Sequence, residues 1–285
     1  MLREAKIRAV RTLKSPLKRR NPDFIVIGAQ KCGTSSLHYY LSRHPQLQRS
    51  LPKAIHYFDK WINHGYDIKW YESHFKSLFP KKKLFFESTQ EYIYHREVPE
   101  LIHRHYPEIK LILMLRDPVD RAYSAWNMYR TMFETGYPDF GRRKGKYPGE
   151  INPIYKYLMQ GRKTFPSLRE VIKIERELME TGGSDEPAIL RKGLYAGQLK
   201  NYLTFFRSEQ ILIIGFKKFT ANIPGTLEKV YRFLGVGRDV KMSFPVKNKR
   251  PYAAPIDPED EDYLRQFYSA SDHELFGMIG RELQW

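Results

Sequence analysis

Two short segments carry residue types that could handle a multiply charged anion. The first, Ile25–Leu37, reads IVIGAQKCGTSSL. Gly28 and Gly33 permit a tight turn and close approach, Lys31 adds a positive charge, and the amides around Gly33, Thr34 and Ser35 would open a helix whose N-terminus attracts phosphate oxygens. It is not a Walker A sequence, because the lysine precedes the second glycine and no Gly-Lys-Ser/Thr closes the loop. An ordinary strand-to-helix turn is the plainer alternative. The second segment, Leu113–Trp126, reads LMLRDPVDRAYSAW. Arg116 stands where a strand would end, and Pro118 fits the first turn of a helix that carries Arg121 and Ser124. An arginine there can fork onto phosphate oxygens, and a serine on the following helix can reach the same group. Its alternative is an ion pair of Arg116 with Asp117 or Asp120 plus a helix cap.

The elements that must hold these segments are short apolar runs without polar alternation, the pattern of a parallel sheet buried on both faces. They fall at Asp23–Ile27, Leu84–Phe86, Leu111–Leu115 and Ile211–Ile214. Helical patterns separate them, including YAGQLKNYLTFF before the last run and a helix starting near Pro224. Strand, glycine loop and helix in that order make the α/β class with a phosphate site after the first strand. The polar stretches at about 131–165 and 181–192 read as surface excursions of one domain, since no new composition follows them.

The chain has 285 residues, enough for one large domain, and its 41% hydrophobic and 28% charged residues exclude a disordered chain and a membrane bundle. One cysteine excludes an internal disulfide framework and a cysteine-rich zinc site. The nine histidines form no recognised metal-ligand spacing, so no catalytic metal is expected. Cys32 sits inside the glycine loop beside Lys31, where its thiol could be activated or simply packed. With 49 Lys and Arg against 32 Asp and Glu, the net charge is +17, which calls for an anionic partner. The first twenty residues hold eight of those cations at roughly helical apolar spacing, a basic leader over 1–21 suited to packing on the domain or to weak contact with a membrane surface. No eighteen-residue apolar run crosses a membrane, and no secretory signal follows the basic residues.

Taken together, GAQKCGTSSL and LRDPVDRAYSAW resemble the 5′-phosphosulfate loop and the 3′-phosphate motif of sulfotransferases that use 3′-phosphoadenosine 5′-phosphosulfate (PAPS). They are most similar to the heparan-sulfate N- and 3-O-sulfotransferase branch and related bacterial carbohydrate enzymes. KAIHYFDK at 53–60, FFESTQEY at 85–92, RKGLYAGQLKNYLTFF at 191–206 and PVKNKRPYAAPIDPEDEDYLRQFY near the end extend the likeness over roughly 22–280. Two departures stand out: Ala54 where relatives often have Glu, and KNKRPY in place of a more glycine-rich loop.

The resemblance implies a single α/β domain over 22–285, its central, mainly parallel sheet flanked by helices, with a P-loop-like phosphosulfate-binding loop. It implies in-line sulfuryl transfer from PAPS to a hydroxyl or amino group of an anionic or neutral saccharide, releasing adenosine 3′,5′-bisphosphate (PAP). Lys31 would stabilise the leaving phosphate and Glu87, just past a strand, would take the acceptor proton. Lys31, Cys32, Gly33, Thr34, Ser35 and Ser36 would cradle the phosphosulfate, and Arg116 and Ser124 the 3′-phosphate. Tyr195 would border the cofactor or pack at a helix start, Lys247, Lys249 and Arg250 would fold over it, and Lys53 with Glu87 would face the acceptor. His56 stays outside this set as a residue that a core could equally absorb. A small alcohol or lipid hydroxyl is the alternative acceptor; a nucleotide kinase and a non-enzymatic polyanion or nucleic-acid binder are the rival functions. The kinase lacks a magnesium site and a Walker lysine, and specific nucleic-acid binding is not expected. Catalysis in the cytoplasm is the expectation without an anchor, and the Golgi lumen is the alternative if one has been lost.

Overall fold

Each apolar run becomes a strand because its side chains are enclosed from above and below. The computed structural model describes residues 20–76, 84–136, 153–182, 187–237 and 254–285. The expectations for the leader through residue 19 and for Lys247, Lys249 and Arg250 lie outside these described residues. Among them are β1 (Phe24–Gly28), β2 (Leu47–Arg49), β3 (Leu84–Ser88), β4 (Lys110–Leu115) and β5 (Ile211–Gly215). They form one sheet in the order β2-β3-β1-β4-β5, with every neighbouring pair parallel. β1 is central and buried along its whole length, as parallel sheets covered on both faces require.

The covering helices are α1 (Thr34–Leu41), α2 (Ile68–Glu72), α3 (Val98–His105), α4 (Pro118–Glu134), α5 (Leu168–Glu180), α6 (Tyr195–Leu203), α7 (Phe216–Ala221), α8 (Ile223–Leu234) and α9 (Pro258–Ile279). Chain connections leave the end of β1 toward β2 on one side, and β4 lies on its other side. That reversal makes the carboxyl end of β1 the crevice where open α/β sheets bind ligands. The pairing of β1 with β4 also slips between Val26 and Gly28, so the chain leaves the sheet there and Ala29 N donates to Met114 O at 2.8 Å.

All four expected strands form, each within two residues of its expected bounds. The three-residue edge strand Leu47–Arg49 was not expected, since LQR carries a single apolar residue and draws its order from pairing with β3. The surface-excursion reading needs correction. Residues 131–134 continue α4, and Ile154, Leu158 and Met159 are buried in a second apolar cluster between α4, α5 and α9. The 187–190 segment is also interior: Glu175 accepts from the amides of Ile189 and Leu190 at 2.6 Å each, and Tyr268 donates to Leu190 O at 2.9 Å. Polar composition misled there because the charges sit on neighbours, while Ile189 and Leu190 themselves are fully buried.

Candidate active site

The glycine loop is built by two left-handed residues in close succession, Lys31 at φ 67° and Gly33 at φ 87°. Gly33 is the N-cap of α1, and a Cβ there would meet the Phe216 ring at 2.9 Å, so both its conformation and its neighbour demand glycine. Cys32 N donates to Ala29 O at 3.2 Å, and Ser36 N and Leu37 N both donate to Gly33 O. The amides of Gly33, Thr34 and Ser35 take no part in these bonds and open the helix N-terminus. An oxyanion seated there meets convergent N–H donors and the positive end of α1. The residues present therefore fit a phosphosulfate group.

Cys32 departs from the expected set. Its amide is committed to Ala29, its side chain is fully buried, and its Sγ lies 3.5 Å from both Gln30 O and the Tyr195 hydroxyl. Burial pushes the thiol's pKa up, so Cys32 packs beneath the loop and is not an activated thiol. Tyr195 is equally enclosed, and its hydroxyl donates to Arg116 O at 3.0 Å. Of its two expected roles, the packing one describes it: Tyr195 ties the glycine loop to the second segment from below.

The second segment is held by its own cap. Asp117 accepts from the amides of Val119 and Asp120 at 2.8 and 3.3 Å, with Pro118 in the first turn of α4. Arg116 pairs with Asp120 at 3.2 Å and lies 5.0 Å from the Phe216 ring centroid, while Ser124 is buried on α4. Phe216 thus touches both segments, packing at Gly33 and under the Arg116 guanidinium. The plainer alternative of an arginine–aspartate pair and a cap is present, and Arg116 directly follows the end of β4. Arg121, fully buried, donates to Ile189 O and serves the core.

Facing the loop is a wall made by the end of β3 and by residues 53–59. Lys53 Nζ donates to Ser35 Oγ at 2.8 Å, and Ser88 N donates to Lys53 O at 3.1 Å, so this segment spans from the glycine loop to β3. Burial lowers Lys53 to about 8. His38, on α1 behind it, is lowered to about 3 by burial and then by Lys53 and Arg49, and its neutral ring lies 2.9 Å from Ser88 Oγ.

Glu87 stands at the strand end as expected, but it is fully buried. Tyr71 OH donates to one carboxylate oxygen at 2.8 Å, while Thr89 Oγ1 and Ile55 N donate to the other at 2.7 and 3.2 Å. Burial raises its pKa despite those donors. The expectation that Glu87 receives the acceptor proton thus meets an obstacle of access, since both oxygens already serve the protein.

Sequence reasoning missed two pairs in this wall. Glu91 binds Lys192 at 2.7 Å and accepts from Gln30 Nε2 at 3.2 Å, beside Lys31. Burial alone would raise the Glu91 carboxyl, yet the Lys192 ammonium holds it down to about 2. His56 Nδ1 lies 2.8 Å from Asp59 Oδ2. The i, i+3 spacing in HYFD was the available signal for the second pair, whereas nothing local links Glu91 to Lys192. Among the described residues, no group of three or more His, Cys, Asp or Glu could hold a metal ion, and no helix is long and apolar enough to cross a membrane.

A parallel α/β sheet with an anion cradle after its central strand, and an arginine at the end of the neighbouring strand, defines a protein that handles phosphorylated or sulfated groups. Residues 21–244 match the sulfotransferase domain family, to which the chain belongs. It is accordingly a sulfotransferase enzyme of the PAPS-dependent class. It is 26% identical to the membrane-associated sulfotransferase kil1 of Dictyostelium discoideum over 93% of this chain and 66% of that protein. It is 29% identical to human heparan sulfate glucosamine 3-O-sulfotransferase 6 over 95% of this chain and 75% of that protein. The fold is shared with the crystal structure of a sulfotransferase from Alicyclobacillus acidocaldarius, at 24% identity and TM-score 0.69, over 93% of this chain and 98% of that one.

Proposed function

We propose that this chain transfers a sulfuryl group from PAPS to a hydroxyl or amino group of a saccharide. The observation that carries the reading is the packing of two anion-binding segments on one aromatic ring: Gly33 at the helix start and Arg116 at the strand end both meet Phe216. Two such points fit a nucleotide bearing phosphate on both its 3′ and 5′ positions. The likeness to a relative named as a heparan sulfate glucosamine 3-O-sulfotransferase supports a sugar acceptor.

PAPS would supply the activated sulfuryl group. Gly33, Thr34 and Ser35 would hold the 5′ side through backbone amides, Ser36 would add its hydroxyl, and Arg116 with Ser124 would hold the 3′-phosphate. Lys31 would sit where negative charge grows as the donor bond breaks, and Lys53 would add charge from the Ser35 side. Glu87, or a group of the wall built on it, would take the acceptor's proton. We place this catalysis in the cytoplasm, with the Golgi lumen as the alternative, and take the saccharide as the partner.

Calorimetric titration with PAP tests this directly, using AMP and duplex DNA as controls. Selective binding of PAP, weakened at least tenfold by Arg116→Ala, is the expected result. Equal binding of every polyanion would reject it.

A further inference from the structure

Glu91 and Lys192 form an ion pair at 2.7 Å whose side chains keep 14% and 12% of their surface, so the contact is enclosed while its outer edge still meets solvent. Such a pair costs desolvation of both charges, and apolar packing could join the Arg191–Gly193 turn to the end of β3 equally well. Its surroundings point to a ligand instead. Gln30 Nε2 donates to Glu91 Oε1 at 3.2 Å and to the Tyr129 hydroxyl at 3.3 Å, which ties the pair to the residue before Lys31. The Lys192 ammonium lies 5.2 Å from the centroid of the Tyr94 ring, and Tyr94 and Tyr129 are both half-buried. A carboxylate, an ammonium, an amide and two aromatic rings thus meet between the glycine loop, the later turns of α4 and the end of β3.

The hydrogen-bonding capacity of the pair is not used up. An ammonium carries three donors, of which Glu91 takes one, and a carboxylate offers about four acceptor positions, of which Lys192 and Gln30 fill two. A donor and an acceptor therefore stand 2.7 Å apart at the same edge. Two hydroxyls on adjacent carbons of a sugar ring, each able to donate and to accept, match that pairing. Charge then decides which sugars fit. The Lys192 ammonium holds Glu91 down to about 2, so the pair carries one charge of each sign near neutral pH and none in sum. Burial lowers the neighbouring His95, which leaves it uncharged there. A uronic or sulfated ring would bring its anion beside Glu91, against a lysine whose charge Glu91 already cancels.

On the sulfotransferase reading above, we infer that Glu91, Lys192 and Gln30 form an acceptor subsite for the adjacent hydroxyl groups of an uncharged sugar ring, beside the group that receives the sulfuryl. Glu91 accepts from one hydroxyl and Lys192 donates to its neighbour. Gln30 spans from this subsite to the glycine loop and so sets the distance between the recognised ring and the sulfur. The acceptor narrows from saccharides in general to those with a neutral ring at this position.

The test compares two probes on the PAP-loaded enzyme by calorimetry: a heparosan hexasaccharide, whose uronate rings are anionic, and the same hexasaccharide after reduction of its carboxyl groups. The variant is the double change Glu91→Gln with Lys192→Met, which removes both charges together, keeps an amide oxygen for Gln30 and leaves no lone buried ion. The wild type should bind the reduced sugar more tightly than its parent. In the double variant that affinity should fall about 10- to 100-fold, the scale for losing hydrogen bonds to charged groups, while PAP affinity and the urea midpoint hold. In transfer assays from PAPS the loss should appear in the acceptor KM. Equal or tighter binding of the anionic parent by the wild type would overturn the subsite, as would an unchanged affinity for the reduced sugar in the double variant. Failure of both sugars to bind an enzyme that does bind PAP would overturn it too. A wild type that does not bind PAP would instead reject the sulfotransferase reading.

Discussion

The two walls of the cleft solve opposite electrostatic problems with opposite materials. On the proposed donor side, the anion cradle is mostly backbone, a glycine at φ 87° and the open N-terminus of α1, with one strand-end arginine side chain beside them. On the proposed acceptor side, the wall is side chain: the buried Glu87 with its donors, and the largely enclosed pairs of Glu91 with Lys192 and His56 with Asp59. Backbone donors are fixed by the fold and carry no titration, which suits a ligand that is always an anion. A proton must move on the other side, so that wall needs groups whose charge can change. The donor side is therefore specified over a few consecutive residues, and the acceptor side only by tertiary contact.

Removing charge from the donor side should have the largest effect. Lys31→Ala is expected to lower kcat by about 10²- to 10³-fold, the scale for deleting one electrostatic stabiliser of a transition state. PAP should still bind, because the amides of Gly33, Thr34 and Ser35 remain. Single-turnover assays with PAPS separate the two quantities. A Lys31→Ala enzyme with unchanged turnover would show that the backbone alone carries the leaving charge, and the contrast between walls would become sharper than drawn here.

On the acceptor side, the corresponding cost should appear in stability. Lys192→Met leaves the Glu91 carboxyl enclosed without its cation, a change worth about 3 kcal/mol when one partner of a buried pair is lost. In the parent chain, Glu91 is held near 2 against an ordinary value of 4.5, so its contribution to stability is complete above pH 4.5 and disappears as the pH falls toward 2. Without Lys192, burial dominates and the carboxyl shifts upward, so the variant should lose stability as the pH rises through that raised value. Urea unfolding across pH 3 to 8 gives both slopes. Parallel curves for the two proteins would show that Glu91 does not depend on Lys192.

What could be read from the chain follows the same division. The strands, the glycine loop and the Arg116 segment were legible because their signals are local: apolar runs, a glycine that opens a helix and a proline in a first turn. The family resemblance then joined segments that lie far apart in sequence. Glu87 was legible as a position but not as an environment, because its donors Tyr71, Thr89 and Ile55 come from three separate stretches. Cys32 was placed in the cradle with the rest of its motif, and the hydrogen bond of its amide to Ala29, together with its full burial, puts it beneath the loop. Lys192 reads as one more cation in a chain of net charge +17, and its role appears only once Glu91 is placed beside it.

Lys53 belongs to both walls and should give the smallest effect. It lies on the acceptor-side segment, yet its ammonium reaches across to Ser35 in the cradle. Burial lowers it to about 8, so near neutral pH it is largely protonated, and above pH 8 it becomes neutral. A bound dianion favours the charged form, so PAP binding should draw a proton onto Lys53 when the pH is above that value. Affinity should then weaken as the pH rises past 8, by no more than about tenfold per unit, the limit for one coupled proton. Calorimetry in buffers of different ionisation enthalpy measures the proton uptake directly. Lys53→Met should bind PAP more weakly at pH 7 and show a flatter dependence above 8. An unchanged slope in the variant would assign Lys53 to the acceptor side alone and restore a clean separation of the walls.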